Sequence, residues 1–421
     1  MKIHLISLGC SKNLVDSEKI LGMLGSQGIG ISALPDDCDI IIINTCGFIQ
    51  PALMETEVEI ERASSFVTEH TRLFVFGCAV NRFGPQLATR HPRVSAWFRL
   101  EERDRLLDAV HGEARHAAAR LPTTSGYAYL KIAEGCSNRC AYCTIPSIRG
   151  PYRSIDRDVL VEEARQLARL GYQEIILIAQ DSTRYGTDLY GRAMLPDLIQ
   201  RISHIPSIRW IRIMYAHPDS LTERILQEIE HNDKVCTYID LPIQHISTRM
   251  LRLMNRRMTK KQLITLLHNV KKIKDISMRT TVIAGFPGET DKEHKELINF
   301  LEQGIFHWIG VFPYYREPGT PAAAFCQVPE DVIQARYHAL LALQQRLIAR
   351  DNSRRIDHVY DVLIDHVDTR ATGHTEFAAP EVDAEVIVSG NNMQAGRFYQ
   401  ARITGYEAHR LFAQPLVHHA A

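Results

Sequence analysis

Gly135-Cys136-Ser137-Asn138-Arg139-Cys140-Ala141-Tyr142-Cys143 decides how this chain is read. Three cysteines in a C-x₃-C-x₂-C spacing follow directly on the aliphatic stretch 129–132, which reads as a strand. Three thiolates on one tight loop can hold three irons of a 4Fe–4S cube. No fourth cysteine is adjacent, so one iron keeps an open position, as a catalytic metal centre does and a closed structural one does not. A zinc site would favour four ligands, usually as two C-x₂-C pairs, and an electron carrier needs a fourth thiolate.

The natural ligand for the open iron is the amino and carboxylate groups of S-adenosylmethionine (SAM), whose sulfonium bond an electron from the cluster can break. Tyr142 suits an aromatic packed beside the adenine. Cys136, Cys140 and Cys143 are therefore read as both metal ligands and catalytic centre.

Outward from the loop, candidate strands 129–132, 174–179, 210–215, 238–243, 280–284 and 309–312 alternate with helical patterns such as 157–170 and 292–303. Six βα units predict a full or partial barrel with its chemistry at the C-terminal strand ends. Gln180-Asp181 and Gln244 (with His245) stand at such ends and are candidate SAM contacts. So is the strand-to-helix turn Gly285-Phe286-Pro287-Gly288-Glu289, whose glycines would let backbone approach a ligand. Taken alone, polar strand ends and glycine turns are ordinary features.

Residues 2–8, 39–44 and 72–76 are aliphatic runs separated by helical stretches, predicting a parallel α/β sheet. Each run leads into a cysteine: Cys10, Cys46 and Cys78. The ends of parallel strands share one edge, so three thiolates can converge there as a second cluster site. The bland alternative is three small buried residues. Cys38, Cys236 and Cys326 have no such company and read as non-ligands. The Ala- and Arg-rich stretch before Pro122-Thr123-Thr124-Ser125 reads as a linker. After a helix near 330–350, strands at 359–364, 384–388 and 397–405 with turns such as Ser389-Gly390-Asn391-Asn392 predict a small β-barrel. His418-His419 reads as a frayed tail.

The predicted domains are residues 1–115, a linker 116–126, a barrel 127–350 and a β-barrel 355–421. The fold class is α/β. Wholly apolar runs such as Ile40-Ile41-Ile42-Ile43 are far short of the roughly 20 residues a bilayer requires, so no membrane association is expected. With no export signal, the expected compartment is the cytoplasm, where nine cysteines suit metal binding better than disulfides.

Nearly the whole chain resembles the methylthiotransferase family, and its wording is similar to the RimO branch. The matching text is Ser7-Leu8-Gly9-Cys10-Ser11-Lys12-Asn13-Leu14-Val15-Asp16-Ser17-Glu18, then Asn44-Thr45-Cys46-Gly47-Phe48-Ile49. It continues with the Cys136–Cys143 loop and Thr144-Ile145-Pro146, and with Ala179-Gln180-Asp181-Ser182-Thr183-Arg184-Tyr185-Gly186. Tyr314-Tyr315-Arg316 departs from a common Tyr-Ser pair, and His409-Arg410-Leu411-Phe412 from a Tyr-Asp-Leu-Trp-type ending. The resemblance implies a flavodoxin-like N-terminal domain, a radical-SAM partial (βα)₆ TIM-like barrel and a C-terminal TRAM barrel.

It also implies two 4Fe–4S clusters and two uses of SAM. One SAM supplies a methyl group to sulfur held at the cluster of Cys10, Cys46 and Cys78. The other is the radical source, and the methylthio group goes to the β-carbon of an aspartate of small-subunit ribosomal protein twelve. Radical chemistry is needed because that C–H bond is not acidic enough for a side-chain base. A flavodoxin- or ferredoxin-type reductant and a sulfur donor are implied partners.

Charge bears on the substrate. From Arg355 to Ala421 there are five Arg, no Lys and nine Asp or Glu, a balance of −4, which suits a basic protein better than RNA. Against this, Arg249 to Arg279 holds ten Lys or Arg and a single acid, Asp275. Such runs are usually solvated helix faces, so nucleic-acid contact is a secondary expectation. The alternatives are a tRNA adenosine methylthiotransferase and, in another class, an iron–sulfur electron carrier with an RNA-binding barrel.

Overall fold

Ile40-Ile41-Ile42-Ile43, all at 0% exposure, can only be a strand covered on both faces, the signature of a parallel α/β sheet. In the computed structural model, which describes residues 1–112, 120–390 and 392–416, this run lies at the centre of five parallel strands. They are β1 (Lys2–Ser7), β2 (Gly30–Ile31), β3 (Ile40–Thr45), β4 (Arg72–Gly77) and β5 (Ala96–Phe98), in the order β2-β1-β3-β4-β5. That is the flavodoxin-like order, whose switch point falls between β1 and β3. Helices α1 (Ser11–Gly25), α2 (Gln50–Ser64), α3 (Cys78–Arg90) and α4 (Arg103–His111) complete it. The reading from sequence missed β2 and β5, which are too short to carry a period.

The chain divides into two compact units. The first is Met1–Thr123 together with Glu134–Asn138 and Cys143–Tyr152, so it takes in part of the cysteine loop and the short helix α5 (Ile145–Arg149). The described end of the expected linker is tied down: Arg120 pairs with buried Glu18 at 2.5 Å, and the Thr123 N–H donates to the same carboxylate at 2.7 Å. Residues 113–119, Asn391 and the tail with His418 and His419 lie outside the described residues.

The second unit is Thr124–Ala133, Arg139–Tyr142 and Arg153–Ala421. Its barrel strands are β6 (Tyr127–Lys131), β9 (Glu174–Ile178), β10 (Trp210–Ile213), β11 (Tyr238–Asp240), β12 (Ser277–Ala284) and β13 (Trp308–Pro313). The two-residue strands β7 (Ala133–Glu134) and β8 (Arg153–Ser154) bracket the cysteine loop in sequence. All six expected barrel strands are present, as two parallel sheets, β10-β9-β6 and β11-β12-β13. An isolated bridge from Ile211 to Val235 links β10 to the chain entering β11. Helices α6 (Arg157–Arg169), α7 (Leu195–Ser203), α8 (Glu223–His231), α9 (Thr248–Leu253), α10 (Lys260–Val270) and α11 (Asp291–Leu301) alternate with the strands. The long α12 (Glu330–Ser353) follows.

Five strands then close a barrel in the order β14-β15-β16-β18-β17: β14 (Val359–Val367), β15 (Ala371–His374), β16 (Glu385–Val388), β17 (Phe398–Glu407) and β18 (Arg410–Pro415). β15 and β18 were not anticipated, because Thr372-Gly373-His374 and Arg410-Leu411-Phe412 lack a long β-branched run. The loop between β15 and β16 inserts at the N-terminal ends of the larger barrel's strands. Against one sheet, His374 reaches Glu174 at 2.5 Å, Arg212 donates to the carbonyls of Thr375 and Glu376, and Tyr127 and Tyr129 donate to Glu381. Against the other, Asp383 accepts from Tyr238 at 2.6 Å and from Arg279 at 3.1 Å, while the Phe377 carbonyl accepts from Ser277 and Trp308.

Candidate active site

In the first unit the three N-terminal cysteines stand within electrostatic reach of one another. Cys10 is the N-cap of α1, Cys46 follows β3, and Cys78 opens α3, so two of them sit at helix N-termini, where a thiolate is favoured. The thiols sense one another electrostatically, and the Cys46 and Cys78 thiols are both raised, burial being the main cause. Cys78 is pushed up to about 12, with Arg149 opposing the rise. Backbone approach is close: a Cβ on Gly9 would stand 2.9 Å from Cys46 Sγ, and one on Gly47 would stand 2.6 Å from Ala79 Cα.

Arg149, with only 1% of its side chain exposed, holds this region together. It donates to Asn13 Oδ1 at 2.5 Å, to Glu134 at 2.7 Å and to Asp16 at 3.3 Å, and its charge is felt by Cys78 and Cys10. Asn13 also donates to the carbonyls of Leu8 and Thr45, pinning the two loops that carry Cys10 and Cys46. The segment after Cys143 is fastened here as well. Thr144 Oγ1 donates to the Phe48 carbonyl at 2.9 Å, and Asn81 Nδ2 donates to the Ile148 carbonyl at 2.9 Å. Asn13, Asp16 and Thr144 were quoted in the sequence match but given no role, and Arg149 was not singled out at all; only their position in space reveals one.

Among the described residues no three His, Cys, Asp or Glu side chains converge on a single-ion site. A cubane makes a different demand, since each thiolate takes its own iron. Each set supplies three thiols, none in a disulfide, and a buried cation faces the N-terminal set. These donors fit an anionic iron–sulfur cluster, and its binding would release protons from the raised thiols.

In the second unit the stretch around Cys140 is anchored by the Ala141 N–H to the Met254 carbonyl at 3.0 Å and by Asn255 Nδ2 to the Arg139 carbonyl at 2.5 Å. Arg256 lies against Cys140 and donates to Tyr142 Oη at 3.5 Å. Tyr142 meets Phe286 edge-on at 6.4 Å.

The other expected SAM contacts divide. Gln180 is half-buried at the end of β9. Asp181 is fully buried and accepts from Thr183 Oγ1 at 2.6 Å. Gln244 adopts φ +66°, a conformation that non-glycine residues hold chiefly where the surroundings impose it, as at functional sites. The turn after β12 has a different logic from the one expected. Gly285 is required by packing, because a Cβ there would stand 2.6 Å from Ile333 Cγ1. Phe286 and Pro287 are buried, and Gly288, at φ +79°, offers its carbonyl to Arg249 at 2.7 Å.

Glu289 is engaged at both oxygens, with Gly285 N–H at 2.7 Å and Arg336 at 3.0 Å on one and His245 Nε2 at 3.1 Å on the other. His245 Nδ1 accepts two backbone N–H groups, so its proton is on Nε2 and points at Glu289. Phe286 and Glu289 shape the turn.

Two relatives decide the family. A protein of Aquifex aeolicus, "Ribosomal protein uS12 methylthiotransferase RimO", is 39% identical over 96% of this chain and 95% of its own length. One of Clostridium kluyveri with the same name is 40% identical over 96% of each. The chain belongs to the ribosomal protein uS12 methylthiotransferase family. Three family models match along this member: "Uncharacterized protein family UPF0004" over residues 2–99, "Radical SAM superfamily" over 130–301 and "TRAM domain" over 356–416. Among solved structures, the radical SAM methyltransferase TsrM of Kitasatospora setae matches with TM-score 0.56 at 12% identity, over 76% of this chain and 73% of that one. At that identity the likeness is one of fold.

Proposed function

We propose that this chain is a radical-SAM methylthiotransferase that adds a methylthio group to the β-carbon of an aspartate of ribosomal protein uS12. The observation that carries the reading is the attachment of the radical-SAM segment to the N-terminal cysteine site within one compact unit, through Thr144 to Phe48 and Arg149 to Asn13 and Asp16. A methylthio donor and a radical source must act on the same carbon, so their supports have to be held in fixed relation.

Cys136, Cys140 and Cys143 hold a 4Fe–4S cluster, and Cys10, Cys46 and Cys78 hold a second. When bound, the first cluster supplies the electron that cleaves SAM, and the second holds the sulfur that receives a methyl group. Arg149 places a positive charge beside the N-terminal cluster and Arg256 one beside Cys140. The Gly285–Glu289 turn, with Tyr142, Gln180, Asp181 and Gln244, forms the SAM-facing side of the barrel mouth. The buried aromatics Phe286 and Tyr314 keep water from that side. Residues 1–115, 127–350 and 355–421 are the three domains, with 116–126 as the connector.

No helix among the described residues is long and apolar enough to cross a membrane, and the cytoplasm, where ribosomes are made, is the working compartment. Electrons come from a flavodoxin- or ferredoxin-type protein and sulfur from a separate donor. The acidic C-terminal barrel faces a basic protein substrate, and nucleic-acid contact is secondary.

The test uses reconstituted full-length protein with reductant, SAM, sulfide and recombinant uS12. The expected products are 5′-deoxyadenosine and uS12 heavier by one methylthio group. Cys140→Ala should abolish both while iron remains on the N-terminal set, and Cys46→Ala should keep 5′-deoxyadenosine and lose the modified protein. A methylthio group found on tRNA and not on uS12 would overturn the reading, as would undiminished 5′-deoxyadenosine from Cys140→Ala.

A further inference from the structure

His217 is a buried histidine at the barrel mouth that the mechanism above does not use. It lies just beyond the C-terminal end of β10, the side on which barrels of this kind do their chemistry. Its backbone N–H donates to Thr183 Oγ1 at 3.2 Å, and its Nδ1 accepts from the Asp219 N–H at 3.3 Å. Nδ1 therefore carries no proton, and the neutral ring carries its hydrogen on Nε2. His217 is only 9% exposed, and its buried Nε2 has no hydrogen-bond partner. A buried donor without an acceptor is costly, so such a group calls for an occupant.

The surroundings specify the occupant's charge. Arg184 follows Thr183 directly, the Arg257 N–H donates to Asp219 Oδ2 at 3.3 Å, and the charge of both arginines is felt by the histidine. Burial, then Arg256, Arg184 and Arg257, press the His217 pKa down to about 2, which keeps the ring neutral and its hydrogen on Nε2. The acids facing it are already engaged. Asp219 Oδ2 stands 4.0 Å from Nδ1 and takes the Arg257 N–H, while Asp181 accepts from Thr183 and Ser220. The exposed Arg257 and an unsatisfied N–H beside it suit an anion. Tyr215, two residues before His217, sits at φ +58°, a strained conformation of the kind that gathers at binding sites. Arg256 connects the group to the radical-SAM loop through Tyr142 and Cys140.

We propose that His217 Nε2–H, with Arg257, binds the side-chain carboxylate of the target aspartate and so presents its β-carbon to the radical. This rests on the function proposed above. The other carboxylate in the proposed reaction belongs to SAM, and its binding is therefore measured separately. Recognition of a carboxylate predicts a preference for aspartate over asparagine, because the asparagine amide brings no charge to Arg257 and must turn its carbonyl to the Nε2–H.

The experiment compares reconstituted wild type with His217→Gln, which keeps a donor, His217→Leu, which does not, and Arg257→Gln, whose exposed side chain can be changed without touching the core. For each, KM and kcat are measured with uS12 and with uS12 whose target aspartate is asparagine, and SAM affinity by equilibrium dialysis. His217→Leu should raise KM for the aspartate substrate about ten- to hundredfold, with SAM affinity unchanged within about twofold. His217→Gln should recover most of the loss, and Arg257→Gln should raise KM several-fold.

Unchanged KM in His217→Leu and Arg257→Gln would overturn the proposal. Weakened SAM affinity at unchanged KM would assign the anion site to SAM and overturn it too. If His217→Leu does not fold, Arg257→Gln decides. Should wild type leave uS12 unmodified, the function itself falls first and takes this inference with it.

Discussion

Arg212→Met tests what holds the C-terminal barrel to the catalytic one. Arg212 is at 0% exposure, donates to Glu174 at 2.7 Å and to the carbonyls of Glu376 and Thr375 at 2.7 and 3.1 Å, and lies 4.9 Å from the Tyr238 ring. Methionine fills similar volume but leaves Glu174, also at 0% exposure, with His374 alone. Removing one partner of a buried pair costs about 3–5 kcal/mol, and two carbonyls left unmatched put this case near the upper end. At roughly 1.5–2 °C per kcal/mol for a unit of this size, the melting temperature should fall by about 6–10 °C. Arg212→Met combined with Glu174→Gln should recover part of that, because the stranded charge is gone.

The same network carries a pH signature. Burial alone would lower the His374 pKa, but Asp365 and Glu174 raise it from 6.5 to about 9. A pKa higher in the folded state means stability that is complete below about 6.5 and lost as pH rises through about 9. Urea midpoints at pH 6, 7.5 and 9.5 should therefore fall in wild type and flatten in His374→Gln. A loss below about 1 kcal/mol in Arg212→Met, with no recovery in the double variant, would refute the network's role.

Arg149→Met should destabilise the first unit by about 2–4 kcal/mol, less than a fully buried pair because Glu134 is 28% exposed, and should lower iron retention at the N-terminal set; denaturation and iron assays check both. Gly47→Ala sets a Cβ against immovable Ala79 backbone and should cost about 1–3 kcal/mol, with iron lost selectively from the same set. Glu289→Gln keeps the shape but must turn an NH₂ toward Arg336 or His245, costing about 1–3 kcal/mol and weakening SAM binding in an equilibrium assay.

Much of this molecule was legible in its sequence because hydrophobic period and cysteine placement are local signals. Ile40 to Ile43 read as a strand, and cysteines at three parallel strand ends could meet at one edge. What stayed hidden depends on distant partners. Nothing near Gly285 announces Ile333, so its glycine read as ligand clearance when packing demands it. Arg149, Thr144 and His217 look like ordinary polar residues until the fold sets them beside Asn13, Phe48 and Asp219. The strands β15 and β18 escaped because barrel closure, and not their composition, makes them strands.

The inserted loop between β15 and β16 also bears on how the protein is made. Residues 374–383 supply partners to Glu174, Arg212, Tyr238 and Arg279, so charges laid down earlier in synthesis wait for a segment that leaves the ribosome long after them. The first unit's five-stranded sheet is complete long before, since its final strand ends at Phe98. Maturation of this enzyme thus has a built-in order, and a nascent chain stalled before residue 374 would carry a finished N-terminal sheet and a catalytic barrel with an unsealed floor.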